Sequence, residues 1–374
     1  MMNQMDIAFP NLGIYLENVP QAFYIGDFRI ALYGCMIALG MMLGILMAAQ
    51  VAKKTGQSPD TYWDISVWLI IFSLIGARIY YVIFFWDAYK DNLLQIFNFR
   101  AGGLAIYGGV IGGILTAYVY CLIKKKFLPE ILDTAVYGLL VGQIIGRWGN
   151  FFNREVFGGY TDGLLAMRLP ISMVRDRDIT PELAAHIADG TNYIQVHPTF
   201  LYEGLWNLAL LIFLLLFLKH RRFKGEIFFL YLAGYGIGRA WIEAIRTDQL
   251  YIGSTSVPVN MVMGIALAAA AILAIALISI RKKKTENEQD TEKNTFCVSV
   301  RKAKMELAGI HEDPLILMER KNISVDVVLH LSGKNQDQFN IVVPVADTGI
   351  IWVTGKQIVM DASLTVSIIV DHIF

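Results

Sequence analysis

Seven stretches of about 20 mostly apolar residues are the feature that most restricts what this chain can fold into. A helix of about 20 apolar residues crosses the hydrocarbon core of a bilayer, so each stretch is long enough to span a membrane. They lie at residues 28–50, 62–86, 103–123, 129–149, 198–218, 226–244 and 258–280. Only 17% of the 374 residues are charged, against about 25% in ordinary soluble domains. We therefore predict an all-α polytopic membrane protein with about seven transmembrane helices.

The distribution of lysine and arginine predicts the orientation of the chain, because short cytoplasmic loops retain basic residues. One set of alternating connections holds Lys53, Lys54, Lys124, Lys125, Lys126, Lys219, Arg221, Arg222, Lys224, Arg281, Lys282, Lys283 and Lys284. The other set holds Lys90, Arg100, Arg154, Arg168, Arg175, Arg177 and Arg246. The first set is larger and lies next to helix ends. We expect the N-terminus outside, the C-terminus in the cytoplasm, and residues 151–197 in one long outer segment.

The composition changes after Lys284. Residues 285–294 (TENEQDTEKN) are polar and charged, which is typical of a linker. Residues 295–374 contain β-prone runs, such as 323–331 and 339–345. We predict a transmembrane domain over 1–284, a charged linker over 285–294 and a small β-rich cytoplasmic extension over 295–374, whose composition indicates no particular role.

Two classes of function are disfavoured by the composition. The chain carries 32 basic and 32 acidic residues, so it lacks the basic footprint of a nucleic-acid binder. Its three cysteines, Cys35, Cys121 and Cys297, are too few and too scattered for a disulfide framework or a zinc site.

Ionisable residues inside the predicted spans are candidates for function, because a charge in the membrane is costly. They are Asp64, Arg78, Asp133, Arg147, Glu203, Arg239 and Glu243. The alternative is structural pairing that fixes helix packing. We favour pairing for Asp64 and Asp133, which lie near inner helix ends, and leave both interpretations open for Arg78.

The sixth stretch carries a polar stripe. Tyr235, Arg239 and Glu243 are spaced at i, i+4 and i+8, so they share one helix face. Arg246 and Asp248 continue the stripe to the outer boundary. An intrahelical ion pair would explain part of this pattern. A stripe that runs from mid-membrane to the interface fits a lipid headgroup better than an ion path.

The fourth stretch ends in the segment GRWGNFFNREVFG, residues 146–158. Arg147 lies between two glycines, Gly146 and Gly149, whose lack of side chains lets a phosphate approach closely. Asn150, Asn153 and Glu155 add donors and acceptors at the outer boundary. A polar helix cap is the alternative, but the density of polar residues there favours a binding site.

The third stretch is rich in glycine. Gly108 and Gly112, like Gly109 and Gly113, are spaced for close contact between helices. Tyr107 is the polar side chain among them, and it is either an interfacial anchor or part of a site.

The fifth stretch begins with His197 and carries Glu203 one to two turns further in. Histidine is the best unperturbed general base in the chain. A lone histidine at a helix start is more often a polar cap.

Together these motifs resemble the bacterial prolipoprotein diacylglyceryl transferase family. The matching segments occur in the family's order over about residues 25–280. They are LYG (32–34), RAGGLAIYGG (100–109), GRWGNFFNREVFG (146–158), HPTFLYE (197–203) and YGIGRAWIEAIRTD (235–248). The segment 146–158 is similar to the family signature and is the most specific of them.

The resemblance implies a seven-helix, multi-pass enzyme of the bacterial inner membrane whose site opens to the outer leaflet. Such an enzyme transfers the diacylglyceryl group of phosphatidylglycerol to the lipobox cysteine thiol of a prolipoprotein signal peptide, and glycerol phosphate leaves. The expected partners are these two substrates and membrane lipids, with no nucleic acid. No metal and no organic cofactor are implied.

The resemblance also implies roles for individual residues. Arg147 and Arg239 would hold the phosphate and Glu243 would position Arg239, with Tyr107 and His197 completing the catalytic candidates. The substrate-binding candidates are Tyr33, Asn150, Asn153, Glu155, Gly158, Glu203, Tyr235 and Arg246.

Two features depart from the family pattern. Tyr107 stands where the family commonly has a histidine that is usually offered as the base, and tyrosine is a weak base at neutral pH. Either His197 takes the thiol proton, or the thiol ionises beside the arginines without a dedicated base. The second departure is residues 285–374, which exceed the usual family length. The alternative functions are a transporter of an anionic substrate, which would predict an internal repeat, and a membrane receptor with a cytoplasmic output domain.

Overall fold

The computed structural model describes residues 3, 5–99, 102–253, 255, 257–307, 328–330, 339–345, 349–360 and 366–373. The chain divides into two units, residues 1–276 and 277–374.

Long helices dominate the first unit. They are α1 (Leu32–Lys54), α2 (Pro59–Phe84), α3 (Ile106–Ile123), α4 (Leu128–Asn153), the short α5 (Pro181–Ala185), α6 (Thr199–Phe217), α7 (Glu226–Glu243) and α8 (Val259–Leu307), which continues into the second unit. Six of the described helices, all except α5 and α7, have the length and apolarity to cross a membrane. The predicted class, an all-α polytopic membrane protein, is confirmed. Helix α7 falls outside that group because its 18 residues include Glu226, Arg239 and Glu243.

The first span begins later than the sequence predicted. Residues 28–31, which we assigned to it, form the strand β4 (Phe28–Ala31), paired in a hairpin with β3 (Ala22–Ile25). Gly26, with φ of 60°, supplies the left-handed turn that joins the two strands. The alternation of large apolar residues with Arg29 suits a half-exposed strand, so the helix starts at Leu32.

A small antiparallel sheet covers one end of the helices, which we call the outer end. Its strands are β1 (Ile7–Phe9), β2 (Ile14–Leu16), β5 (Met167–Pro170) and β6 (Tyr193–Val196), in the order β2-β1-β5-β6. Ala8 pairs with Arg168 in this sheet. The segment before α1 and the segment after α4 therefore lie on the same side, as an even number of crossings between them requires.

A buried arginine fastens the N-terminal segment to the end of α4. Arg154 has φ of 54° and ends the helix in the left-handed conformation. Its guanidinium donates to the carbonyl oxygens of Met5 at 2.8 Å, Val19 at 2.6 Å and Phe152 at 2.8 Å. The second arginine of the 146–158 segment thus has a structural task.

Glycines bring helix backbones together. A Cβ added at Gly112 would lie 2.6 Å from the carbonyl oxygen of Phe72 in α2. A Cβ at Gly236 in α7 would lie 2.5 Å from the carbonyl oxygen of Gly264 in α8. The packing role predicted for the glycines of α3 is confirmed for Gly112, and the α7–α8 crossing is a second close approach of the same kind.

At the opposite end, called the inner end, Asp133 of α4 holds the start of α7. The buried carboxylate accepts from the backbone N–H of Gly225 at 2.7 Å and of Phe228 at 2.9 Å. Arg221 completes the arrangement at 3.2 Å. The structural interpretation that we favoured for Asp133 agrees with these contacts, because the carboxylate caps a helix N-terminus.

The second unit consists of the remainder of α8 and a four-stranded antiparallel sheet. Its strands are β7 (Val328–His330), β8 (Phe339–Val345), β9 (Gly349–Met360) and β10 (Val366–Ile373), in the order β10-β9-β8-β7. The β-rich character predicted for the extension is confirmed, and the predicted run 339–345 coincides with β8. Of the run 323–331, positions 323–327 and 331 lie outside the described residues. Residues 285–294 belong to α8, and the domain boundaries that we placed around them stay a prediction.

Candidate active site

Glu203 is the meeting point of three arginines near the outer end. It lies in the second turn of α6, and only 5% of the residue is exposed. Its carboxylate forms a close ion pair with Arg147 of α4. Oε1 also lies 3.8 Å from Arg239 Nη1 and 3.9 Å from Arg246 Nη1. One buried carboxylate therefore gathers guanidinium groups from α4, α7 and the segment after α7.

Glu243, at the end of α7, is the second carboxylate of the cluster. It is fully buried, and its Oε2 lies 2.9 Å from Arg239 Nη2 and 3.7 Å from Arg246 Nη1. The i, i+4 spacing read from the sequence thus forms an intrahelical ion pair, and the same pair is part of a larger network. Arg239 is shared between two carboxylates, which fixes the plane of its fork.

Arg246 also binds Asp248, through two hydrogen bonds of 2.8 and 2.7 Å. Burial opposes the charge on Arg246, but the hydrogen bonds to Asp248 and the charges of Asp248, Glu243 and Glu203 together raise the pKa of Arg246 above its ordinary value. This cation is therefore permanent at any pH at which the protein works.

Arg147 connects the cluster to the polar end of α4. Its Nη1 lies 3.4 Å from Asn150 Oδ1. Asn150 and Asn153 each donate to Glu155 Oε1 at 3.3 Å. The left-handed turn at Arg154 folds Glu155 back towards α4, which explains why residues two and five positions earlier reach it. The predicted residues of this segment lie together at one helix end.

A small cleft adjoins the arginine cluster. It is lined by Glu203, Trp206, Asn207, Tyr235, Gly238, Arg239 and Ile242. Trp206 lies against Gly238 and donates to the carbonyl oxygen of Gly234 at 2.9 Å. Our sequence analysis named Glu203, Tyr235 and Arg239 of this wall but missed Trp206 and Asn207. Their spacing from Glu203 on α6, three and four residues, could have indicated them.

Tyr107 is joined to the cluster through a residue that the sequence analysis did not single out. Its hydroxyl donates to Asn260 Oδ1 at 3.1 Å, and Asn260 Nδ2 donates to Glu243 Oε1 at 2.9 Å. Three helices, α3, α8 and α7, meet in this chain of hydrogen bonds.

His197 lies beside a junction of three backbone segments. Its Nδ1 is 3.1 Å from the hydroxyl of Tyr202, and its backbone carbonyl accepts from Gly158 N at 3.0 Å. Gly159 N donates to the carbonyl oxygen of Ile245 at 2.9 Å. The segments after α4, before α6 and after α7 are joined here. Burial lowers the pKa of His197 below its ordinary value, so its imidazole is neutral at pH 7.

Tyr33, at the start of α1, packs against α4. A Cβ on Gly149 would lie 2.8 Å from Tyr33 Cδ2, so the ring rests on the helix where no side chain intervenes. Arg147 is on the same stretch of α4, two residues earlier. The ring therefore covers α4 next to the arginine cluster.

The structure joins most of the predicted site residues into one network. Hydrogen bonds and ion pairs lead from Tyr107 through Glu243, Arg239, Arg246, Glu203, Arg147 and Asn150 to Glu155 and Asn153. Tyr235 lines the adjoining cleft, whereas Tyr33, Gly158 and His197 contribute through packing or backbone contacts. Arg100 and Ala101 of the glycine-rich block lie outside the described residues.

The three guanidinium groups suit an anionic ligand, although each also has one close carboxylate. The pairs are Arg147 with Glu203, Arg239 with Glu243 and Arg246 with Asp248. The 3.8 and 3.9 Å contacts to Glu203 are longer than charge-assisted hydrogen bonds of about 2.7–2.9 Å, so those arginine groups are held near each other without being saturated. This arrangement can accept a phosphate whose charge grows during a reaction.

The chain is similar to one family of proteins. A family model described as prolipoprotein diacylglyceryl transferase matches residues 20–279. A phosphatidylglycerol--prolipoprotein diacylglyceryl transferase of Clostridium botulinum (strain 657 / Type Ba4) is 43% identical over 251 residues, covering 66% of this chain and 95% of the relative. Proteins of the same name from Clostridioides difficile (strain 630) and Bacillus cytotoxicus are 42% and 40% identical, covering 66% and 67% of this chain and 89% and 90% of the relatives. The resemblance inferred from the sequence is confirmed.

Proposed function

The chain belongs to the prolipoprotein diacylglyceryl transferase family, and we propose that it transfers the diacylglyceryl group of phosphatidylglycerol to a prolipoprotein. The acceptor is the thiol of the lipobox cysteine, and the released product is glycerol phosphate. Family membership supports this function over the transport of an anionic substrate.

The reaction exchanges one bond at a glycerol carbon. The sulfur of the cysteine forms a bond to the diacylglyceryl carbon that carries the phosphate oxygen, and that carbon–oxygen bond breaks. The thiol loses its proton, because the thiolate is the nucleophile. The phosphodiester of the lipid carries one negative charge, and the monoester that leaves carries more, about −1.5 to −2 at pH 7. The enzyme must therefore stabilise charge that appears on the leaving phosphate.

We assign that task to Arg147 and Arg239, with Arg246 behind them. The observation that carries this assignment is the convergence of the three guanidinium groups on the buried carboxylate of Glu203. Fixed cations in a site shielded from water stabilise developing charge without reorganising. Glu243 positions Arg239 through the 2.9 Å ion pair.

The proton of the thiol has two candidate fates. His197 is neutral at pH 7, because burial lowers its pKa, so it is in the form that accepts a proton. In the alternative, the arginines stabilise the thiolate directly and the proton passes to water. Asn150, Asn153, Glu155 and Tyr235 supply polar groups to substrate from the outer end and from the cleft.

The site opens towards the outer leaflet of the bacterial inner membrane in this proposal. Arg147, Arg239 and Glu203 lie near the helix ends that carry the outer sheet. The lysine-rich connections lie at the other end, which the positive-inside rule assigns to the cytoplasm. Residues 285–374 are then a cytoplasmic extension outside the catalytic unit.

One experiment tests the function. The purified full-length protein is incubated with phosphatidylglycerol and a synthetic lipobox peptide, and mass spectrometry follows the diacylglyceryl adduct on the peptide thiol. The Arg147→Ala variant should form the adduct about 10²–10³ times more slowly. Arg177→Ala, at a position whose side chain is 74% exposed, removes an arginine outside the cluster and should match the parent. Absence of adduct with the parent protein would reject the function.

A further inference from the structure

The two hydrogen-bonding neighbours of Asn260 fix the orientation of its side-chain amide. The residue lies in the first turn of α8, between Tyr107 of α3 and Glu243 of α7. Its amide has a donor end and an acceptor end, so the identity of each neighbour decides which end it meets.

The neighbour on the α7 side fixes the orientation of the amide. Glu243 is held by Arg239 and Arg246 at 2.9 and 3.7 Å, and as a carboxylate it can only accept hydrogen bonds. Asn260 must therefore turn its Nδ2 towards Glu243, which leaves Oδ1 for Tyr107. The same contact holds Glu243 Oε1, so Oε2 remains on the arginines.

The neighbour on the α3 side is then forced to donate. Asn260 Oδ1 accepts from the Tyr107 hydroxyl at 3.1 Å, and the sulfur of Met263, at 3.7 Å from the same hydroxyl, can also only accept. Both groups of α8, the Asn260 amide oxygen and the Met263 sulfur, can therefore only accept the hydroxyl hydrogen of Tyr107. The lone pairs of the hydroxyl oxygen can therefore accept a hydrogen bond from another group. Such a group can reach Tyr107, because the residue is 38% exposed.

The close crossing of α7 and α8 keeps Asn260 in place. The two helices approach through Gly236 and Gly264 with no side chain between their backbones. Asn260 is one turn before Gly264, and Glu243 is about two turns after Gly236. Because the helices run in opposite directions, both residues lie on the outer side of the crossing.

We propose that Asn260 is a positioning residue that makes Tyr107 a hydrogen-bond acceptor towards the substrate. Tyr107 then meets a donor, either a hydroxyl of the glycerol headgroup or the cysteine thiol, and does not donate to a phosphate oxygen. This inference rests on the proposed diacylglyceryl transfer and adds a residue and a direction to it.

The test uses Asn260→Leu, which keeps a side chain of similar size and removes both hydrogen bonds, in the full-length protein. We expect kcat/KM for phosphatidylglycerol to fall about 10- to 100-fold, the range for losing hydrogen bonds of which one is to a charged group. Asn260→Gln retains the amide and should recover part of that loss. Ile265→Ala, at an exposed position on the same helix, is the matched control and should behave as the parent.

A double-mutant cycle separates positioning from a loss of folding. If Asn260 acts through Tyr107 as well as Glu243, Asn260→Leu should cost markedly less in a Tyr107→Phe background than in the parent. Equal costs in the two backgrounds would overturn the link to Tyr107. Unchanged kinetics of Asn260→Leu would overturn the proposal as a whole.

The source of the donor is resolved by changing the lipid. Phosphatidylpropanol has the phosphodiester but no headgroup hydroxyl. If Tyr107 accepts from glycerol, the difference between Asn260→Leu and the parent should be smaller on this lipid than on phosphatidylglycerol, with the part due to Glu243 remaining, whereas a thiol donor leaves the difference unchanged. A parent protein without transfer to the lipobox peptide would contradict the proposed function. An active parent together with an equally active Asn260→Leu would contradict the inference about Asn260 alone.

Discussion

Replacing Gly158 by alanine should lower the activity of the enzyme, because the added Cβ would displace neighbouring backbone segments. A Cβ at this position would lie 2.7 Å from the carbonyl oxygen of Ile245 and 2.8 Å from the Cβ of His197. Ordinary carbon–oxygen contacts are about 3.3 Å or longer, so the segments must separate by about half an ångström. That separation moves the chain that carries Arg246, one residue beyond Ile245.

The expected magnitude follows from that displacement. Overpacking a tight contact costs about 1–3 kcal/mol of stability, and a misplacement of about 1 Å in an active site can cost about 10²-fold in rate. We expect Gly158→Ala to lower kcat/KM for adduct formation about 10- to 100-fold. Gly159→Ala is the matched control, because a Cβ there meets nothing within 4 Å.

The assay compares the two variants in the same detergent or nanodisc preparation. Adduct formation is measured by mass spectrometry, and thermal unfolding is measured in parallel. Gly159→Ala should keep the rate and the melting temperature of the parent. A Gly158→Ala protein as active as Gly159→Ala would refute the argument that the three-segment junction sets the position of Arg246.

Four further outcomes are expected. Arg239→Lys should lose most of the rate of adduct formation and resemble Arg147→Ala, because a point charge cannot replace a guanidinium fork that contacts two carboxylates. A protein truncated after Lys284 should retain transfer in the peptide assay, since the residues of the network lie upstream. If His197 takes the thiol proton, the rate should fall as pH drops through its pKa, which lies below about 6.5, and His197→Gln should abolish that acid limb. Tyr107→Phe should slow the reaction, whereas Tyr107→His should stay active and show an acid limb of its own.

The six helices with the length and apolarity of a span could be predicted from the sequence, because a long apolar run needs no partner to be recognised. The charged residues of the site could be predicted for a related reason. Arg147, Glu203 and Arg239 carry a cost inside a membrane helix that only a partner or a function offsets. Only the fold shows that these residues converge, but the sequence alone identifies them as candidates for a functional site.

The outer sheet was not predicted, because its strands pair with segments that are distant in the sequence. The strands Ile7–Phe9 and Met167–Pro170 are three and four residues long and pair across most of the first unit. Nothing in either segment indicates its partner. Asn260 escaped notice for a similar reason, since a polar residue in the first turn of a helix is common, and its importance arises only where α3, α7 and α8 meet.

The fastening of the N-terminal segment by Arg154 sets an order for biogenesis. The carbonyl oxygens of Met5 and Val19 that Arg154 binds leave the ribosome more than a hundred residues before it. Strand β1 likewise waits for β5, which follows four long helices. The N-terminal segment must therefore stay on its side of the membrane without these partners until α4 has been inserted and has brought Arg154 to the same side. The hydrogen bonds of Arg154 and the pairing of β1 with β5 can therefore form only in a chain whose first four helices have the correct topology.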